Sequence, residues 1–372
     1  MVKHRRPARP RDPAWPITLL AVLLSAVAVL AITGPLGQRF ERTPVAMPED
    51  GTTGCTELGM AGPYDWEFAT ETEFRTMAHE MSLLGATWIR LSATWQEIEP
   101  ERGHYDWSGL DQRLNIALDA GLQPILLIHT TPDWVAGFGV IGSGAAAEYA
   151  DFSAAVAERY RSEVAAYEIW NEPNLARFWP DPSAESYAEL LTATAPRIAA
   201  ADPDAEIIAG GLAPAANIPD YSVSGYTFLE RLYELDALGD TTAIAMHPYS
   251  YPERPSGTSR WNTFRQLTAV KELMRDNGDG GKRIWLTEFG APTQGTEGVG
   301  EEEQSAIVTE ALQLVADDPA LGPIFMYTLY DLDLGEEDHE SHFGLLYGPG
   351  RPKLAYHDLR ATAAECAGRG VD

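Results

Sequence analysis

Positive charge is scarce in this sequence. Its 372 residues include 27 Lys and Arg against 55 Asp and Glu, which gives a formal net charge of -28 at pH 7. Such a surface repels the phosphate backbone of nucleic acids and suits a neutral partner better than an anionic one. We therefore expect no nucleic-acid partner. A simpler interpretation of the charge is solubility in an exposed or salty setting.

Cysteine is almost absent, and Cys55 and Cys366 lie near opposite ends of the region that we expect to fold. If that region closes into a barrel, its first and last elements are neighbours, and a disulfide between the two would join them. Closing so long a loop stabilises a protein by roughly a few kcal/mol. The alternative is a pair of unrelated thiols.

One hydrophobic run is just long enough to cross a bilayer. Residues 16–33 (PITLLAVLLSAVAVLAIT) carry no charge and follow the basic residues 1–15, and a helix rises ~1.5 Å per residue. The positive-inside rule leaves the basic tail in the cytoplasm and places the rest outside, where conditions are oxidising. We expect an uncleaved transmembrane anchor in the cell membrane with an extracellular domain. The alternative is a cleaved signal peptide and a secreted protein.

Residues 34–54 are rich in Pro, Gly and polar side chains and are predicted to be a linker. In residues 55–372, apolar runs alternate with amphipathic stretches, which predicts an α/β fold. The eight predicted strands lie at 57–61, 86–91, 123–128, 165–170, 206–210, 243–246, 283–286 and 324–330. The predicted helices include 71–84, 110–120, 146–159, 184–200 and 302–315. This pattern favours a single (β/α)8 TIM barrel over an open doubly wound sheet, since no Gly-rich dinucleotide loop follows the first strand.

Polar residues cluster directly after the predicted strands. They are Arg90, His129, Asn171, Glu172, His247, Tyr249 and Glu288. In a barrel these strand ends meet at the C-terminal face, where this fold carries out catalysis. Two carboxylates at one face are typical of glycosidic bond cleavage, with ~5–5.5 Å between them for retention and ~6.5–9.5 Å for inversion. The fourth and seventh strands are close enough around the barrel for the shorter distance.

Three sequence motifs resemble those of a known family. Residues 170–174 (WNEPN) and 285–290 (WLTEFG) resemble the acid/base and nucleophile motifs of clan A retaining glycoside hydrolases. Residues 342–346 (HFGLL), followed by Pro352 and Lys353, resemble a late motif of one branch of this clan, which holds β-xylosidases and bacterial exopolysaccharide hydrolases. The resemblance covers most of residues 57–360.

The resemblance implies a role for each catalytic residue. Glu172 would be the general acid/base and Glu288 the nucleophile that forms a covalent glycosyl-enzyme. Asn171 would donate to the sugar 2-hydroxyl, a bond that strengthens in the transition state. Arg90 would keep Glu288 ionised. Arg90 could also pair with Glu168 inside the barrel, and both contacts could hold.

Further residues are predicted to bind the sugar. His247 and Tyr249 would line the floor of the site, and His129 would bind a sugar hydroxyl. The clan's eighth-strand Trp is missing from residues 327–331 (YTLYD), and Tyr330 is predicted to take its place. Aromatic faces stack on sugar rings, so four tryptophans in loops after strands are predicted subsite walls, with core packing as the alternative. They are Trp95, Trp134, Trp179 and Trp261.

The sequence as a whole predicts a monomeric retaining β-glycosidase that needs no cofactor and no metal. Its substrate would be a poly- or oligosaccharide of the cell envelope or its surroundings, because the anchor would hold the enzyme there. One alternative is a barrel that binds glycan without cleaving it, against which Glu172 and Glu288 argue. A metal-dependent barrel hydrolase is disfavoured, since residues 56–63 contain no His-x-His pair.

Overall fold

The computed structural model describes residues 58–136, 145–335 and 337–369. The predicted tail (1–15), anchor (16–33) and linker (34–54) lie outside the described residues, as do Cys55 and the side chain of Cys366. Within the described part of the chain, no helix combines the length and apolar character needed to cross a bilayer. The anchor and the disulfide therefore stay predictions.

Eight parallel strands close into a barrel in chain order. The strands are β1 (Leu58–Ala61), β2 (Trp88–Thr94), β3 (Gln123–His129), β4 (Ala166–Asn171), β5 (Glu206–Leu212), β6 (Ala243–Met246), β7 (Arg283–Phe289) and β8 (Leu321–Tyr327). The barrel closes where β1 pairs with β8, with Leu58 opposite Ile324 and Ala61 opposite Tyr327. The predicted (β/α)8 barrel is confirmed.

Helices connect the strands and cover the outside of the barrel. They are α1 (Glu71–Leu84), α2 (Trp95–Ile98), α3 (Ser108–Asp119), α4 (Asp133–Ala136), α5 (Ala146–Arg159), α6 (Ala184–Ala201), α7 (Gly225–Glu234), α8 (Thr263–Asp276), α9 (Glu301–Ala316) and α10 (Leu354–Arg369). Local chemistry sets the ends of α1, because Thr70 and Glu73 form a capping box and Gly85 ends the helix with a left-handed φ of 95°.

Two apolar layers hold the barrel together. Large rings fill its interior, where Trp88 lies edge-on to Trp285 with 5.4 Å between ring centroids and Phe325 stacks on Trp285. Small residues such as Ala243 and Ala245 leave room for them. A second layer of aliphatic and aromatic side chains lies between the strands and the helices. Because both faces are buried, the strands are nearly continuous apolar runs, and polar side chains appear at their carboxyl ends.

Candidate active site

The carboxyl ends of the strands surround a cavity of about 660 Å³. Six of the residues predicted from the sequence line it directly: Arg90, His129, Asn171, Glu172, Tyr249 and Glu288. The prediction that strand-end residues meet at one face therefore places these side chains correctly, since parallel strands of a closed barrel all end there.

A left-handed turn of the backbone places Glu172 at the end of β4. Trp170 and Glu172 have φ values of 68° and 46°, a region that non-glycine residues adopt at a cost of about 1–3 kcal/mol each. The amide of Glu172 donates to the carbonyl of Gly211 on the neighbouring strand at 2.9 Å. The turn ends the strand and aims the Glu172 carboxylate into the cavity.

The two glutamates lie close together. One carboxylate oxygen of Glu172 and one of Glu288 are within 4.8 Å of each other. Their side chains are 12% and 15% exposed, respectively. His247 contacts both of them, with Nδ1 at 2.9 Å from Glu172 Oε1 and 3.7 Å from Glu288 Oε2. A substrate in the cavity can therefore reach both carboxylates at once.

Three neighbours keep Glu288 anionic. Arg90 Nη1 donates to Glu288 Oε1 at 2.6 Å, and the Tyr249 hydroxyl donates to Oε2 at 3.0 Å. Burial acts to raise the pKa of Glu288, but the positive charges of His247 and Arg90 and the hydrogen bond from Tyr249 outweigh it. The pKa of Glu288 thus lies below its usual value, as a nucleophile requires.

Arg90 connects three polar partners inside the barrel. Besides Glu288, it donates through Nε to Glu168 at 2.6 Å and through Nη2 to Asn171 Oδ1 at 2.7 Å. Burial acts to lower its pKa, but the charges of Glu168 and Glu288 raise it above the usual value, so the guanidinium stays charged. Both pairings considered from the sequence therefore exist. The bond to Oδ1 also fixes the orientation of the Asn171 side-chain amide. Arg90 occupies the oxygen of this amide and leaves its Nδ2 donor to other partners.

His247 occupies a space that only a glycine leaves open. A Cβ atom on Gly211 would lie 2.1 Å from the imidazole Nε2. The ring is 1% exposed and also contacts Thr287 Oγ1 at 3.1 Å. Burial acts to lower its pKa, yet the charge of Glu288 and the hydrogen bond with Glu172 raise the pKa of His247 overall. The sequence predicted a substrate-lining His247, whereas the structure places it behind the two glutamates.

His129 lies on the cavity wall as a neutral ring. Burial and the charge of Arg90 lower its pKa to about 3. Its Nε2 lies 3.4 Å from Thr94 Oγ1, and the Thr94 hydroxyl donates to Glu67 at 2.6 Å. A neutral imidazole can donate one hydrogen bond and accept another, which suits a sugar hydroxyl.

The four predicted tryptophan walls are wrong. Trp261 is 68% exposed and does not line the cavity, and the other three rings pack elsewhere. Trp95 is fully buried, because α2 begins directly at this residue and turns the ring onto Phe152. Trp179 is 2% exposed and donates to Ser186 Oγ at 2.9 Å. Trp134 packs edge-on against Trp95 and donates to the carbonyl of Glu99. All three rings are packing elements outside the cavity wall.

The prediction that Tyr330 takes the place of the eighth-strand Trp is also wrong. Strand β8 ends at Tyr327, so Tyr327 lines the cavity in place of Tyr330. The Tyr330 hydroxyl bonds to Glu80 on α1 instead.

Loop residues complete the wall, and sequence reasoning missed them. Tyr251 and Phe343 contribute aromatic faces, Arg177 follows Glu172, and the carboxylates of Glu297 and Glu340 lie on the opposite loops. Burial is the main cause that raises the pKa of Glu340. Loop residues lack the periodicity that reveals strands and helices, so no pattern in the sequence predicted them.

Glu172, His247 and Glu288 also form a group whose ligand atoms could hold a metal ion. Their atoms already bond to one another, to Arg90 and to Tyr249. A divalent cation would displace these hydrogen bonds and face the Arg90 guanidinium, which repels it. The donor set therefore fits proton transfer and nucleophilic attack better than it fits metal binding.

Comparison with known proteins relates this chain to glycoside hydrolases. Residues 51–318 match the family model described as cellulase (glycosyl hydrolase family 5). No curated protein sequence matches the chain. The solved structures that follow are at most 20% identical to this chain, so their likeness to it shows the fold alone.

Three solved structures illustrate the likeness. A family 39 glycoside hydrolase from Bacteroides cellulosilyticus WH2 is 20% identical with a TM-score of 0.67, over 84% of this chain and 64% of that chain. A GH39 β-xylosidase from Caulobacter crescentus is 20% identical (TM-score 0.62, 84% and 72%). A GH5_18 variant protein from Streptomyces cattleya, in complex with Manb1-4GlcNAc, is 16% identical (TM-score 0.65, 83% and 80%). This chain thus spans less than two thirds of the length of the first.

Proposed function

The chain belongs to the family described as cellulase, glycosyl hydrolase family 5, and on that premise we propose that it is a retaining β-glycosidase with Glu288 as nucleophile and Glu172 as acid/base. Membership confirms the clan A resemblance. Hydrolysis of glycosidic bonds is the activity that the family description supports for this chain. The mechanism and the roles of individual residues are the proposal.

The distance between the two carboxylates carries this proposal. Retaining enzymes hold the carboxyl groups ~5–5.5 Å apart, whereas inverting enzymes need ~6.5–9.5 Å to admit a water between the base and the sugar. Oxygens of Glu172 and Glu288 within 4.8 Å of each other support the shorter arrangement. So does the depressed pKa of Glu288, since an ionised carboxylate is the better nucleophile.

The first step forms a covalent ester. A carboxylate oxygen of Glu288 attacks the anomeric carbon while the glycosidic carbon–oxygen bond breaks and the departing oxygen takes the proton of Glu172. Arg90 and Tyr249 hold Glu288 in place. Both donors are fixed before the substrate arrives, so they need no reorganisation during the reaction.

The second step returns the enzyme to its starting state. Glu172, now a carboxylate, takes a proton from water, and the resulting hydroxide attacks the anomeric carbon. The bond to Glu288 breaks, and the sugar leaves with its original anomeric configuration. His247 lies against both carboxylates. It can therefore stabilise the negative charge that Glu172 and Glu288 gain in turn.

Neutral donors around the cavity suit sugar hydroxyls. The free Nδ2 end of Asn171 is placed to donate to the 2-hydroxyl, and the neutral His129 ring binds another hydroxyl. Tyr327 is an aromatic wall for the ring that is attacked. The family description names cellulase and one similar structure is a β-xylosidase. β-Linked glucans and xylans are therefore the first substrates to test.

Location is part of the proposal. Residues 16–33 would anchor the chain in the cell membrane, residues 34–54 would act as a linker, and residues 55–372 would form the extracellular catalytic domain, in agreement with the pattern of the sequence. A cleaved signal peptide would give a secreted enzyme instead. Either arrangement brings the enzyme to poly- or oligosaccharides outside the cytoplasm.

Covalent labelling tests the nucleophile. A 2-fluoro β-glycoside with a good leaving group should inactivate the enzyme, and peptide mass spectrometry should find the label on Glu288. Glu288→Ala should lose at least ~10³-fold in kcat, because it removes the covalent step. Label on another residue, or near wild-type turnover by Glu288→Ala, would contradict the assignment.

Glu172→Ala is the matched control. It should hydrolyse substrates with good leaving groups far better than unactivated oligosaccharides, because such leaving groups need no proton. Added azide should restore its turnover and give a β-glycosyl azide, since azide replaces water without needing a base. An α-glycosyl azide from this variant would reverse the two roles.

A further inference from the structure

The loop after β5 is fastened to the loop that carries Glu172. Asn174, which follows Glu172 by two residues, is fully buried and makes three side-chain bonds to the β5 loop. Its Oδ1 accepts from the amide of Ala213 at 2.9 Å, and its Nδ2 donates to the carbonyls of Ala213 at 3.0 Å and Val223 at 2.8 Å. We call these bonds the Asn174 clamp.

Main-chain bonds extend this attachment to Tyr221. The amide of Ala176 donates to the carbonyl of Tyr221 at 2.8 Å, and the amide of Val223 donates to the carbonyl of Asn174 at 2.9 Å. The amide of Leu175, in turn, donates to the carbonyl of Glu172 at 3.0 Å. The backbone of Tyr221 is therefore held in a fixed position next to the segment that carries the acid/base.

The Tyr221 ring is open to solvent but lies on the cavity wall. It is 61% exposed, and it lines the cavity together with Leu175 and Phe178 of the β4 loop. Another exposed aromatic residue, Trp261, is 68% exposed and does not line the cavity. An aromatic face left open on a rigid loop at the edge of a binding cavity is suited to stacking against an apolar ring face.

The chemistry fixes which part of the substrate reaches this ring. The acid protonates the oxygen of the departing group, so the departing group lies on the side of Glu172, while the sugar that is attacked lies over Glu288. We propose that Tyr221 is the stacking platform for the sugar released in the first step. The enzyme would then favour oligo- and polysaccharides, which place a sugar ring there, over glycosides of small alcohols. This inference rests on the proposed function.

Paired substrates that differ in the departing group test the platform. A β-glucosyl fluoride releases only fluoride, whereas cellotetraose releases a sugar, and β-xylosyl fluoride with xylotetraose form a second pair. For Tyr221→Ala, the ratio of kcat/KM for the tetrasaccharide to kcat/KM for the fluoride should fall about tenfold. Tyr221→Phe keeps the ring, so its ratio should remain close to that of the wild type.

Trp261→Ala is the matched control, because it removes an exposed aromatic ring outside the cavity, and it should leave the ratio unchanged. An unchanged ratio in Tyr221→Ala, or an equal fall in Trp261→Ala, would overturn the platform while leaving the proposed mechanism intact. A wild-type enzyme that hydrolyses neither pair would contradict the proposed function, and the platform with it.

Discussion

At the scale of single residues, two different donors hold the Glu288 carboxylate. Arg90 supplies a permanent positive charge, while Tyr249 supplies a neutral hydroxyl. Burial and the negative charge of Glu288 raise the pKa of Tyr249 well above its usual value, so this hydroxyl keeps its proton. The contributions of Arg90 and Tyr249 to the pKa of Glu288 can therefore be separated by mutation.

We expect Tyr249→Phe to move the acidic limb of the kcat/KM profile to higher pH. Glu288 must be ionised to attack, so activity falls as the pH drops through its pKa. Loss of a hydrogen bond to a charged group raises that pKa by roughly one unit. The pH dependence of kcat/KM on an aryl β-glycoside measures the shift. Tyr233→Phe, which removes a hydroxyl bonded to Asp279 outside the cavity, is the control. A limb that does not move would contradict the role of Tyr249.

The sequence predicted the polar residues of the site better than its aromatic ones. Glu172, Glu288 and Arg90 were predictable because strand ends of a parallel barrel converge. The direction of Trp95 depends on whether a helix or a loop follows Thr94, and the sequence pattern does not distinguish the two. The eighth strand was predicted to end three residues too late, at Tyr330 instead of Tyr327, because the end of an apolar strand has no clear marker in the sequence.

At the scale of elements, a buried lysine ties together the loops after β7 and β8. Lys353 Nζ donates to Asp331 Oδ1 at 2.7 Å, to Thr293 Oγ1 at 2.9 Å and to the carbonyl of His342 at 3.2 Å. Its side chain is 0% exposed. Burial lowers the pKa of Lys353 and raises that of Asp331, and their attraction opposes both shifts. These loops carry Phe343 to the cavity wall.

Lys353→Met should lower the free energy of unfolding by about 3–5 kcal/mol, because it leaves the Asp331 carboxylate, which is only 14% exposed, without its ion-pair partner. Urea unfolding measures the change. Adding Asp331→Asn should recover part of it, since the unpaired charge is then gone. Lys271→Met, which breaks a more exposed pair with Asp318, should cost no more than ~1 kcal/mol. Equal losses in the two lysine variants would show that burial does not distinguish the pairs.

Helices were easier to predict than the loops they precede. The bounds of α1 and α5 agree with the sequence prediction, because amphipathic periodicity defines both. Glu297 and Glu340 lie in loops after β7 and β8, and only the folded chain brings them to the cavity. The architecture was therefore predictable, whereas the wall that determines sugar specificity was not.

At the scale of the whole molecule, the proposed anchor makes location testable. Expressed in a bacterium, the full chain should sediment with membranes, and deletion of residues 1–33 should release it into the soluble fraction. Ala26 and Ala28 are small residues of the kind that precede a signal-peptide cleavage site. An exported chain that mass spectrometry shows to begin after either of them would support a signal peptide instead. Intact chain in the cytoplasmic fraction would contradict export.

Digestion of the exported protein without reductant should yield a peptide pair joined through Cys55 and Cys366.

The Asn174 clamp restricts how this barrel could be re-engineered. A designer who wished to change specificity by exchanging the β5 loop, residues 213–224, would sever bonds that locate the backbone beside the acid/base. A replacement loop whose backbone does not place an amide and two carbonyl groups at those positions would leave the side chain of Asn174 buried and unsatisfied. The β4 and β5 loops therefore form one transplantable unit, and chimeras are best cut on either side of the pair.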